Sequence, residues 1–376
     1  MDAPKPKHRV NRSRGWFRAV LGVAVGTAGS LPAWGLDLTI DYSRDAVAED
    51  FFGRFPQAKL ALEQAAADLG ALIATEPAAI SGDYFVGLSG NAEVTFDLDL
   101  RYKDPSTGVV RTVAEPFIAE GEVILYVGSQ HLTGNTLAFS EIATVRNTVI
   151  WNGGGTSGEV QGAAAIAAAD AEVAWRRGLD GPVYNTLTGP LNIGGNQVPL
   201  DADMGPIAAS IWFDTDTNNN GDSDTNSQLA AYWHFDHTTP VPTGKFDFYT
   251  AALHEIVHGL GFGTAESYND LYGTSSGEPF WLGPTGQYLN GGSAFNLADI
   301  DARHLRDGLF SPRLSDGVLQ ETLLDHDIQA GVRKGVTLMD AAFLQDIGWT
   351  LTNPIVIPEP GALAFLGLLL GFRRRR

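Results

Sequence analysis

The sequence predicts an α+β protein in which the strands of a mixed, twisted sheet are interspersed with helices, one of them chemically distinctive. Two observations predict the class. Short runs at 36–42, 84–88, 94–100, 123–127 and 208–213 are apolar or alternate apolar with polar residues, and Gly, Pro and Asp clusters separate them, as expected of strands. Interspersed with them, residues 56–75, 159–177 and 251–260 place apolar side chains at helical spacing.

The opening strand is Leu36–Tyr42, where Leu36, Leu38 and Ile40 share one face. The first helix follows, with Leu60, Leu62, Ala65, Ala66, Leu69, Leu72 and Ile73 on its apolar positions. The alanine-rich stretch from Glu159 to Arg177 is read as a packed soluble helix, because Asp170, Glu172, Arg176 and Arg177 interrupt any apolar span. Ala208–Phe213 is a strand candidate lying before the 251–260 helix and is expected at an edge of its sheet.

Composition narrows the chemistry. The 376 residues suit one large or two modest domains, and 44% hydrophobic content supplies a core. With no cysteine, thiol catalysis, thiolate metal sites and disulfides are all excluded, so a metal must sit on nitrogen and oxygen ligands. The formal net charge is −19, although six basic residues precede position 19 and four arginines close the chain, so the body between is more acidic still. Such a surface repels nucleic acid and favours solubility or divalent cations.

Both ends read as addresses. Residues 1–18 are basic, 19–31 apolar or small, and Ala33-Trp34-Gly35 offers small residues at −3 and −1 of a cut before Leu36, so residues 1–35 are expected to be a secretory signal peptide. At the other end, within 353–376, Pro358-Glu359-Pro360 precedes an apolar run from Ala362 to Phe372 and then Arg373–Arg376. This order resembles the PEP-CTERM sorting tail of exported bacterial proteins. The resemblance implies export, transient membrane attachment through the tail, and handling by an exosortase-type enzyme that leaves the protein in the envelope or outside the cell.

Two features carry metal chemistry. The first is the loop after the 208–213 strand. Counting from Asp216, oxygen ligands fall at Asp216, Asn218, Asn220, Asp222 and Asp224 with Gly221 at the sixth position, as in a calcium loop, although the twelfth position is Ser227 rather than glutamate. The second is His254-Glu255-Ile-Val-His258, the H-E-x-x-H signature of zinc proteases. Helical spacing stacks His254 and His258 on one face, from which two imidazoles can hold zinc at about 2.0–2.1 Å, with Glu255 beside it as a base. Asp247 or Thr250 can cap the helix start.

A catalytic zinc takes three protein ligands and leaves one position for water. The compact position for a third histidine holds Thr264, a poor ligand, so the third donor must come from farther along: His304, His326 or Glu278. Gly277 and Pro279 argue against a helix at Glu278. Tyr268, Tyr272 and Tyr288 lie in the same insertion, as packing residues or as oxyanion donors.

Beyond the helix, the isolated His304, Leu323-Leu324-Asp325, Gly331-Val-Arg333-Lys334 and Phe343-Leu-Gln345-Asp346-Ile-Gly348-Trp349 resemble the layout of leishmanolysin-type metzincins, and more closely the exported bacterial zincin-like metalloproteases that carry PEP-CTERM tails. That resemblance covers most of 36–352. It implies a zincin-like domain with an N-terminal lobe to about 262 and a C-terminal lobe over 263–352, and His304 as third zinc ligand. It also implies hydrolysis of protein or peptide substrates with Glu255 as general base. Leu324 stands where the family's methionine turn would fall, a replacement that packing tolerates. The competing reading is a zinc- or calcium-stabilised matrix or surface protein without turnover.

Overall fold

Side-chain alternation along one strand decides how the layers stack. In Glu122–Gln130, Val123, Leu125 and Val127 point into one core while Tyr126 and the half-buried Ile124 point into another, so this strand separates two apolar layers. These details come from a computed structural model that describes residues 35–358, except 88–92, 154, 179–180, 194 and 298–301. All but the last residue of the expected signal peptide (1–35), and the expected sorting tail (353–376) from residue 359 on, lie outside the described residues.

The central sheet has the order Asp37–Asp41, Glu122–Gln130, Ala208–Asp214, Ala138–Ile142. Its first three strands are parallel, and Ala138–Ile142 is antiparallel, with Ile211 opposite Ser140. Ala208–Asp214 is therefore internal, not the edge that the sequence suggested. Every residue of it is buried and none carries a charge before Asp214, which suits a strand covered on both faces and flanked on both sides. The edges belong to Asp37–Asp41 and Ala138–Ile142, and along the latter buried and accessible residues alternate.

On one face of this sheet lie the helices Pro56–Leu72 and Phe248–Gly259. On the other lies a second, antiparallel sheet of Asp83–Gly87, Glu93–Lys103, Val110–Ala114 and Thr144–Asn152. Val94, Phe96, Leu98 and Leu100 project from it onto the helix Ser157–Trp175, whose Ala163, Ala164, Ala167 and Ala171 allow close approach. A capping box between Thr156 and Glu159 starts that helix. Among the described residues no helix is long and apolar enough to cross a membrane.

The fold is thus α+β, with several sheets and segregated helices. After the helix Phe248–Gly259 the chain forms hairpins, including Tyr272–Ser275 with Glu278–Trp281 and Phe310–Pro312 with Leu319–Glu321, and its last described helix is Leu338–Asp346. One core includes residues from both sides of position 262, from Leu36 through Leu260 to Trp349 and Leu351.

Candidate metal centre

The helix that carries the H-E-x-x-H sequence is fixed at both ends. At its start Asp247 accepts the Thr250 N–H at 3.1 Å and the Thr250 hydroxyl at 2.8 Å, while Arg333 clamps the same carboxylate at 2.7 and 3.0 Å. At its end each exposed carbonyl finds a donor. Gly261 N–H and the Thr264 hydroxyl donate to His258 O at 3.0 and 2.7 Å, Tyr184 Oη to Gly259 O at 2.6 Å, and Trp349 Nε1 to Leu260 O at 2.8 Å. Thr264, the residue that breaks the compact three-histidine pattern, is thus a helix cap.

His254, Glu255 and His258 are all buried, at 5, 6 and 5% exposure. The structure brings His304 to them and leaves the other two candidates elsewhere. His304 Nε2 lies 3.1 Å from Nε2 of both His254 and His258, which are themselves 3.1 Å apart. Glu278 is exposed on a hairpin strand. His326 belongs to a separate surface group with Asp307 and Asp327, its Nδ1 2.9 Å from an Asp307 oxygen. Gly263, at φ 73°, explains how His304 gets so close. A Cβ at Gly263 would stand 2.8 Å from Arg303 Cβ, so the insertion folds back against a position without a side chain. Tyr268 donates its phenol to Ala302 O and pins the same segment, so it is engaged in positioning rather than turned to a substrate; Tyr288 is 42% exposed.

The proton positions decide what the triangle wants. His254 Nδ1 faces Leu323 O at 2.8 Å, and His258 Nδ1 faces Phe262 O at 2.8 Å. A carbonyl only accepts, so both protons sit on Nδ1 and both Nε2 atoms present lone pairs. Two lone pairs 3.1 Å apart repel unless a positive charge lies between them. Protonation is a poor remedy, because burial, followed by the neighbouring His258 and His304, pushes His254 well below the ordinary histidine range. A divalent ion suits the donor set. Tetrahedral zinc with bonds of about 2.0–2.1 Å spaces its donors about 3.3 Å apart, close to this triangle.

Burial also pushes the Glu255 carboxyl up to about 8. An adjacent dication reverses that tendency by favouring the carboxylate, so a bound metal and an ionised Glu255 support each other.

The Asp/Asn loop is self-satisfied to a large degree. Asp216 is buried and accepts Asn220 and Gly221 N–H at 3.0 and 2.9 Å, with His131 Nε2 2.7 Å away. Asp224 is also buried and accepts Thr217 N–H at 2.9 Å and the Asn218 amide. Asn218, Asn220 and Asp222 are exposed.

Sequence reasoning missed the groups behind the histidines. Asp340 and Lys334 grip the 321–327 segment whose Leu323 carbonyl orients His254. A signal existed in Thr337-Leu-Met-Asp340, a capping-box spacing that forms here and places the carboxylate.

The chain matches no protein-family model, no curated protein and no solved structure.

Proposed function

We propose that this chain is a zinc-dependent endopeptidase with a zincin-like fold, exported and sorted to the cell envelope or beyond it. The observation that carries the reading is the triangle of convergent imidazole nitrogens, 3.1 Å on each side, beside a buried glutamate. A purely structural zinc site is closed by a fourth protein ligand, and the described His, Cys, Asp and Glu residues group only these three there.

His254, His258 and His304 would hold zinc, which when bound supplies Lewis acidity and water of lowered pKa. Glu255 takes the proton from the attacking water and passes it to the leaving amine, giving hydrolysis without an acyl-enzyme. The edge of Ala138–Ile142, which pairs with no further strand among the described residues, suits an extended peptide, because an added strand satisfies backbone groups without reading side chains. The last turn of the histidine helix lies against this edge: a Cβ at Gly259 would stand 3.4 Å from Ser140 Oγ.

Export, exosortase sorting and tail-mediated membrane attachment rest on the terminal sequences. Calcium at Asp216–Asp224 is a separate proposal resting on loop composition. The test is zinc stoichiometry of the full chain, with hydrolysis of a labelled unfolded protein compared between parent and Glu255→Ala. Zinc near one per chain, with cleavage lost in the variant, supports the reading. Equal cleavage by both refutes it, and zinc bound without cleavage by the parent favours a metal-stabilised surface protein.

A further inference from the structure

One peptide group links a buried carboxylate to a metal-facing imidazole. The Leu324 N–H donates to Asp340 Oδ1 at 3.2 Å, and the carbonyl of that same peptide unit, Leu323 O, accepts His254 Nδ1–H at 2.8 Å. Asp340 is fully buried at 0% exposure. Its other oxygen, Oδ2, accepts Leu323 N–H at 3.0 Å, Thr337 N–H at 2.8 Å and the Thr337 hydroxyl at 2.7 Å. Burial raises the Asp340 carboxyl above its ordinary range, and these four donors oppose that shift; three of them are backbone N–H groups, which cannot accept a proton, so the hydrogen bonding favours the carboxylate.

We propose that Asp340 is the remote carboxylate of a carboxylate–peptide–histidine relay that orients His254 and raises its donor strength toward a metal ion. The inference rests on the metal-centre reading above and adds a positioning residue to it. Metal-bound histidines ordinarily donate their second N–H to a carboxylate, carbonyl or water, which fixes the ring and makes it more basic. Here a carbonyl does so directly, and a negative charge on the far side of its peptide polarises it further, as hydrogen-bonded chains do in a low-dielectric interior.

The same short segment also bears on His304. Leu324 O accepts Leu305 N–H at 2.9 Å, next to the third histidine. Lys334, the buried cation nearby, is neutralised by Glu321 at 3.1 Å and Asp325 at 3.3 Å and holds Thr322 O at 3.4 Å. Asp340 therefore acts on two ligands through one backbone strip: on His254 by polarisation and on His304 by placement.

The test uses the full chain and two substitutions. Asp340→Asn keeps shape and removes charge. Leu98→Ala, in the second core, supplies a destabilised control remote from the histidines. Zinc affinity is read by competition with a chromophoric chelator, and ligand geometry by visible absorption after cobalt substitution. Asp340→Asn is expected to weaken zinc by about tenfold to a hundredfold and to shift the cobalt bands, while Leu98→Ala lowers the unfolding midpoint and changes neither. Zinc held as tightly by Asp340→Asn as by Leu98→Ala overturns the relay alone. A parent chain that takes no zinc overturns the metal-centre reading and the relay with it. If Asp340→Asn does not fold, selective leucine ¹⁵N labelling of the zinc-loaded parent reads the relay directly. A downfield, exchange-protected Leu324 amide supports it, and one exchanging like a surface amide overturns it.

Discussion

Glu255→Gln in the metal-free chain should stabilise the fold, and the gain should depend steeply on pH. Burial raises the Glu255 carboxyl from 4.5 to about 8, so between those values the folded chain holds a proton that the unfolded chain has released. A group with a raised folded pKa contributes stability that is complete below the unfolded value and is lost as pH rises through the folded one. Each tenfold change in proton affinity corresponds to about 1.4 kcal/mol, so ionising Glu255 in place costs on the order of 5 kcal/mol. Glutamine cannot ionise and escapes that cost. Urea unfolding of the chelator-treated parent and variant, at pH 5 and pH 9, measures it. The stability difference should grow from under about 1 kcal/mol at pH 5 to on the order of 5 kcal/mol at pH 9. With zinc restored the difference should shrink, because a dication favours the carboxylate. A difference independent of pH in the metal-free chain would show that Glu255 ionises as easily folded as unfolded, and the reasoning from burial would fail.

His304→Ala should lower zinc affinity by orders of magnitude while His326→Ala leaves it unchanged, as measured by equilibrium dialysis; full zinc retention by the first variant removes His304 from the ligand set. Tyr184→Phe leaves Gly259 O without its buried donor and should cost about 1–3 kcal/mol in urea unfolding. Gly348→Ala should be harsher, about 3 kcal/mol or more, because Gly348 has φ 115° and a Cβ there would stand 2.9 Å from the Gly181 backbone; soluble yield and thermal midpoint report it. Chelation of a zinc-saturated sample should lower the thermal midpoint by removing up to about 4 kcal/mol, the stabilisation expected at a thousandfold excess over Kd.

Much of the scaffold was legible because its signals are local. Pro56 at a helix start, the alternation of Val94 to Leu100 and the apolar setting of His254 and His258 each follow from a few neighbours. The Ala208–Asp214 strand was located from sequence but assigned to the wrong place in its sheet. Whether a strand is flanked depends on Ala138–Ile142, some 70 residues earlier, and no local pattern reports that pairing. The site divided the same way. Two imidazoles and a carboxylate share one turn and were visible. His304 needed a resemblance to be singled out, and the fold brings it in through Gly263. Asp340 stayed hidden because its role is exerted on a peptide group, and peptide groups look alike in every sequence.

The spacing of the three histidines has a consequence for timing. Before folding, only His254 and His258 of these three lie near each other in the chain, and His304 joins them at an entropic disadvantage. The donor set closes only once the insertion has turned back at Gly263 and the backbone around Leu323 has seated behind His254. On the proposed reading, tight metal capture would then be the last act of assembly. A chain threaded unfolded through an export channel would arrive metal-poor and harmless, and would ripen where it settles.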